Sequence, residues 1–135
     1  MAADPDCDFC RIAAGELPVE RIAEDERTLA FMDADPVTRG HAIVIPRQHA
    51  EGLEVIGAED LEAVARTAQR VAITMRERLD ADGVNLIRAR DADGAVHHLH
   101  VHVIPRYHGD ALRLPWVSKP GDRDEIEATA RELAG

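Results

Sequence analysis

His97-His98-Leu99-His100-Val101-His102-Val103-Ile104-Pro105 places four of the chain's seven histidines within six residues. Side chains alternate faces along a β-strand, so a strand over His97–Pro105 puts His98, His100 and His102 on one face and Leu99, Val101 and Val103 on the other. Successive histidines on that face stand roughly 6–7 Å apart along the strand. Packing does not account for three imidazoles in a row, because each polar ring needs partners and brings no compensating apolar burial. Neutral imidazole is a nucleophile, a proton carrier and a metal ligand, so the row marks a site.

Outward from that strand, the surrounding chain reads as one α+β domain spanning residues 1–135. His41–Pro46 ends in proline and is rich in β-branched residues, which predicts a buried strand. Arg21–Glu24 and Thr28–Met32 read as two short strands around an acidic turn, and Val84–Arg90 as another before the turn Asp91–Gly94. Leu61, Val64, Ala65, Ala68, Val71, Ala72, Met75 and Leu79 recur at helical spacing, predicting a long helix from Ala58 to about Asp80 that Asp82-Gly83 ends. A short helical turn over Asp8–Ala14 stops at Gly15, and Asp122–Leu133 reads as a closing amphipathic helix. Strands around one long helix predict an antiparallel sheet covered on one side.

The 135 residues are 45% hydrophobic and 31% charged, a balance that excludes both a disordered chain and a membrane-spanning one. Aromatic residues are only Phe9, Phe31, Tyr107 and Trp116, so the core is aliphatic. A net charge of −10 repels phosphate backbones and anionic lipid, so neither nucleic acid nor a membrane is the expected partner. The start, Met1-Ala-Ala-Asp-Pro-Asp, has no apolar run behind a basic segment, which predicts a cytoplasmic protein without a signal peptide. Cys7-x-x-Cys10 is open to three readings: zinc ligation, a redox dithiol, or two buried thiols. The redox reading is the weakest, since no βαβ pattern accompanies the pair.

The pattern His98-Leu-His-Val-His-Val-Ile-Pro-Arg resembles the signature of the histidine triad (HIT) superfamily. Cys7-Asp-Phe-Cys-Arg-Ile, Gly15-Glu-Leu-Pro, Glu24-Asp-Glu, Leu29-Ala-Phe-Met-Asp and Gly40-His-Ala-Ile-Val-Ile-Pro-Arg-Gln-His resemble that family's other blocks, in its order. The likeness runs from about Cys7 to Tyr107 and is strongest to the bacterial histidine triad nucleotide-binding hydrolases. It implies the HIT-like fold: a five-stranded antiparallel sheet with one long helix and short terminal helices. It also implies a homodimer whose two sheets join into one of ten strands.

The resemblance further implies that His100 attacks the α-phosphorus of a nucleotide conjugate, such as a nucleoside 5′-phosphoramidate. His102 then neutralises phosphate oxygens, with His98 completing the triad. Asp33 would accept hydrogen bonds from ribose, Phe9, Ile12, Leu17, Phe31 and Ile43 would surround a base, purine by expectation, and His41 would support the triad. A structural zinc would be held by Cys7, Cys10, His49 and His98. The chain departs from the family before the triad: Gly94 and Ala95, in Asp93-Gly94-Ala95-Val96-His97-His98, stand where an amide and a hydroxyl usually do, and Arg90–Asp93 is about two residues short. Each preorganised donor is worth roughly a hundredfold in rate, so slow turnover is expected. The alternative function is a zinc-stabilised nucleotide-binding module with weak or no catalysis. A protein that binds metal through the histidine row itself is argued against by Asp33 and the full set of blocks.

Overall fold

The computed structural model describes residues 3–88, 97–113 and 119–134. Its helices are α1 (Asp8–Ala13), α2 (Ala58–Leu79) and α3 (Arg123–Ala134). Its strands are β1 (Arg21–Glu24), β2 (Thr28–Met32), β3 (Ala42–Pro46), β4 (Gly83–Ile87) and β5 (Val101–Arg106). They pair antiparallel in the order β1-β2-β3-β5-β4, the five-stranded sheet that the resemblance to the HIT family implies.

Strand alternation divides the core between the two faces of the sheet. Ala30 of β2, Ala42 and Val44 of β3 and Val103 of β5 meet Val64, Ala68, Val71 and Met75 of α2. The intervening residues Leu29, Phe31, Ile43 and Ile45 turn to the opposite face, where Ile12 of α1 covers them with Phe9, Ala13 and Leu17. Leu29 and Ile45 are completely buried, each contributing roughly 1.5–3 kcal/mol over an exposed position. One face therefore anchors the long helix, and the other builds the site.

The helix α2 differs from its predicted stripe in register. Val64, Ala68, Val71 and Met75 are buried as expected, but Ala65 is exposed, and Ala63 and Thr67 are buried in addition. Thr67 is admitted because its hydroxyl lies 2.6 Å from that of Thr28, itself buried on β2. Polar atoms inside a core need such partners. The helix ends at Leu79, one residue short of the predicted Asp80, where Asp80 takes the left-handed conformation at φ 56°, and Gly83 opens β4. At Gly40 the fold does require glycine. Its φ is +94°, and a Cβ there would lie 2.6 Å from Leu79 Cδ1.

The strand expected over His97–Pro105 begins only at Val101. Val44 pairs with Val101, so continuing the ladder would bring Pro46 opposite Leu99. Proline has no N–H to give, and the ladder ends. The Leu99 N–H instead donates to the carbonyl of Ala50 at 2.7 Å. His98 and His100 thus sit in a segment that crosses the sheet end, not on the strand. The strand expected from Val84 ends at Ile87; Ala89 and Arg90 lie outside the described residues, as do the turn Asp91–Gly94, Ala95, Val96 and Trp116. The helix α3 forms within one residue of its predicted span, yet none of its residues is buried. Among the described residues no helix is long and apolar enough to cross a membrane.

Candidate active site and metal centre

His100, 5% exposed, is held by its own chain. Its Nδ1 lies 2.7 Å from the backbone carbonyl of His98, two residues back. A carbonyl only accepts, so Nδ1 carries a proton, and in the neutral ring Nε2 keeps its lone pair. This is the tautomer a nucleophilic imidazole needs. His102 stands beside it with ring centroids 5.2 Å apart, and the Phe9 and His100 rings meet edge to face with centroids 5.1 Å apart.

A second chain of hydrogen bonds orders His102. The N–H of Val37 donates to His41 Nδ1 at 3.1 Å, so neutral His41 carries its proton on Nε2. Burial pushes His41 below its ordinary value against the opposing pull of the Asp33 carboxylate, which keeps the ring neutral near pH 7. Its Nε2–H points to His102 Nδ1 at 2.9 Å, with Asp33 Oδ2 at 3.4 Å. His102 Nδ1 is then an acceptor, and in the neutral ring its proton sits on Nε2. A backbone carbonyl is the expected partner of a nucleophilic His100, but that it is the one of His98, and that the amide of Val37 sets His41, leave no residue-type signal, because every residue carries such groups.

Cys7, Cys10, His49 and His98 form the other group. Their ligand atoms lie within 4.8 Å of one another. Cys7 Sγ is 3.3 Å and Cys10 Sγ 3.5 Å from His98 Nδ1, and Cys10 Sγ is 3.4 Å from His49 Nδ1. The sulfur–nitrogen edge of a tetrahedron with Zn–S near 2.3 Å and Zn–N near 2.05 Å is about 3.6 Å, so the donors are spaced for one ion. His98 Nε2 lies 2.8 Å from the Pro46 carbonyl, to which its N–H donates, which leaves Nδ1 unprotonated and turned to the sulfurs. Such a second partner is the usual means of orienting a ligating histidine. Burial pushes His98 down to about 4, so the ring is neutral and able to ligate, and burial pushes the Cys10 thiol up. Thiolates in that setting need a cation beside them.

Phe9, Ile12, Leu17, Phe31 and Ile43 are brought together as one cluster on this face, joined by Leu29 and Ile45. Those two share strand parity with Phe31 and Ile43, the signal that could have found them. Ile43 pairs directly with His102 across β3 and β5, so the apolar wall borders the histidines. Asp33 follows β2 at the same end. Its Oδ1 accepts the N–H of Asp35 at 2.8 Å.

A HIT domain family model matches residues 14–109, ending just past the triad strand. The chain belongs to the HIT domain family. Along 95% of its length this HIT domain is 30% identical to adenosine 5′-monophosphoramidase hnt1 of Schizosaccharomyces pombe, covering 96% of that protein. A HIT family protein of Bacillus anthracis superposes with a TM-score of 0.86 at 28% identity, over 99% of this chain and 97% of the other. A zinc-bound histidine triad family protein of Mycobacterium smegmatis is 37% identical with a TM-score of 0.75, over 96% of each chain.

Within the HIT domain the two clusters have different chemistry. Asp33, His41 and His102 also bring ligand atoms within 4.8 Å. With His41 Nδ1 accepting from Val37, however, Nε2 holds the proton and has no lone pair for an ion. The proton order makes that group a hydrogen-bond chain. His97, on the segment ahead of the triad, is exposed. In the stretch Arg106–Pro120, Arg106 pairs with Asp110 at 2.7 Å and donates to Asn85 at 2.8 Å, which anchors the end of β5.

Proposed function

We propose that this protein is a nucleotide hydrolase that cleaves nucleoside 5′-phosphoramidates or related nucleotide conjugates at the α-phosphorus. The observation carrying the proposal is the 2.7 Å contact from His100 Nδ1 to the His98 carbonyl, which leaves Nε2 as a bare nucleophile. In the first step Nε2 forms a bond to phosphorus as the bond to the leaving amine breaks, and the amine takes up a proton. Water then attacks phosphorus, the N–P bond breaks, and a nucleoside monophosphate leaves. Two displacements through a covalent intermediate replace one harder step. His102, protonated on Nε2 by the chain from Val37 and His41, supplies a donor to the non-bridging oxygens as charge develops. Asp33 receives the ribose hydroxyls, and the wall of Phe9, Ile12, Leu17, Phe31 and Ile43 borders the base, taken to be a purine.

Zinc is proposed at Cys7, Cys10, His49 and His98, a Cys₂His₂ donor set that closes four positions. When bound, the ion contributes folding energy and joins α1 to the ends of two strands. A cytoplasmic homodimer completes the reading, with β1 and β4 as the edges at which a sheet is extended.

The test is turnover of adenosine 5′-phosphoramidate by zinc-loaded protein, together with AMP binding by calorimetry. Product formation that disappears in His100→Ala while AMP still binds is the expected outcome. AMP binding without turnover supports the alternative module, consistent with Gly94 and Ala95 replacing donors. Absence of both overturns the proposal.

A further inference from the structure

We propose that the Cys7–Cys10–His49–His98 cluster positions the nucleophile: binding of its metal holds His100 in the tautomer with Nε2 bare. This rests on the reading of His100 given above. His98 belongs to both sites. Its ring nitrogen Nδ1 faces the two sulfurs at 3.3 and 3.5 Å, while its backbone carbonyl accepts the His100 Nδ1–H at 2.7 Å.

That carbonyl is one end of the peptide group joining His98 to Leu99. The other end, the Leu99 N–H, donates to the carbonyl of Ala50 at 2.7 Å, and Ala50 directly follows His49. The peptide that fixes the nucleophile's proton is therefore held at both ends, and each end is next to a ligand. Closing His49 and His98 on one ion locks the separation of the two segments and hence the plane of the peptide.

A second route runs through α1. Phe9 lies between the ligands Cys7 and Cys10 in sequence, and its ring meets His98 at 5.9 Å and His100 at 5.1 Å, both edge-on. Tying the two sulfurs to the ion sets the position of this ring against the face of the nucleophile. Without the ion, S–H groups are weak donors and hold the imidazoles only loosely.

The experiment compares zinc-loaded wild type with His49→Ala and His49→Cys, since His49 touches the cluster and not the proposed nucleotide wall. Metal content is measured, the ring nitrogens of His100 are read by long-range proton–nitrogen correlation at one pH, and turnover and AMP affinity are followed. Wild type is expected to show a single His100 tautomer with Nδ1 protonated. His49→Ala is expected to lose zinc, show a second tautomer, and lose about ten- to a hundredfold in kcat, the range for a displaced reacting group. AMP affinity should stay within about threefold, since a group that acts in the chemical step changes kcat more than binding. His49→Cys is expected to restore the metal, the single tautomer and the rate. If His49→Ala does not fold, chelator-stripped wild type with unchanged circular dichroism takes its place.

Loss of zinc with unaltered His100 signals overturns the coupling and leaves the proposed hydrolase intact. Wild type that binds no zinc also overturns it. Wild type that turns over no conjugate overturns the hydrolase, while the tautomer comparison still decides the coupling.

Discussion

His41→Leu removes one link from the chain Val37–His41–His102 while keeping a side chain of similar bulk. His41 is 4% exposed but Val37 is 50% exposed, so the Val37 N–H loses a part-buried hydrogen bond that water partly replaces. A net hydrogen bond is worth about 0.5–1.5 kcal/mol. At about 4 °C per kcal/mol for a domain of this size, the melting temperature should fall by roughly 2–6 °C. The chemistry suffers separately. His102 loses the donor at 2.9 Å that keeps its Nδ1 an acceptor, and a net hydrogen bond of about 1 kcal/mol changes the tautomer ratio about fivefold. Turnover of a nucleoside phosphoramidate should fall by about that factor, with part of it regained in His41→Gln, whose amide can donate to His102. Thermal melts and steady-state kinetics on the three proteins test both halves. A Leu variant as stable as wild type would show that the Val37 bond contributes nothing, and one that is destabilised but equally fast would refute the ordering of His102.

Acid should destabilise the metal-free protein through His98, whose folded value of about 4 lies below the ordinary 6.5. The unfolded chain binds the proton more tightly, so this contribution is complete above 6.5 and lost as pH falls towards 4, amounting to about 2 kcal/mol by pH 5. Urea midpoints at pH 7.5 and pH 5 check it, and equal stabilities would refute it. Thr67→Val breaks the hydroxyl contact to Thr28 and removes one of two acceptors of Arg70, which keeps Asp25, and should cost about 1–2 kcal/mol in urea denaturation. Asp33→Asn should weaken AMP binding tenfold or more by calorimetry, as hydrogen bonds to a charged group are worth about 1.5–3 kcal/mol. Binding as tight as wild type would remove Asp33 from the ribose site.

Patterns of period two and period three to four were legible because burial imposes them on residue type. The apolar, β-branched run ending at Pro46 read as a buried strand, and the spacing Val64, Ala68, Val71, Met75 as the helix that covers one face of the sheet, while the cover that α1 gives the other face was not in the pattern. The histidine row and the cysteine pair stood out by their spacing, whereas His49 and His98 as companions of the cysteines came only from the resemblance to the HIT family. Cys7, Cys10, His49 and His98 do meet, although 91 positions separate the first from the last.

What the one-dimensional pattern could not carry is the position of each proton and the end of each ladder. His98, His100 and His102 read alike in sequence, yet one turns Nδ1 to sulfur, one gives its Nδ1–H to a carbonyl, and one accepts at Nδ1 from another histidine. These differences come from the carbonyls of Pro46 and His98 and the amide of Val37, groups that every residue type possesses and only the folded chain aims. The same holds where the expected strand gives way before Val101, because the missing N–H of Pro46 matters only once pairing has brought it opposite. Side-chain identity determined which elements form and which residues gather; backbone hydrogen bonding, decided only by tertiary structure, determined what each of them can do.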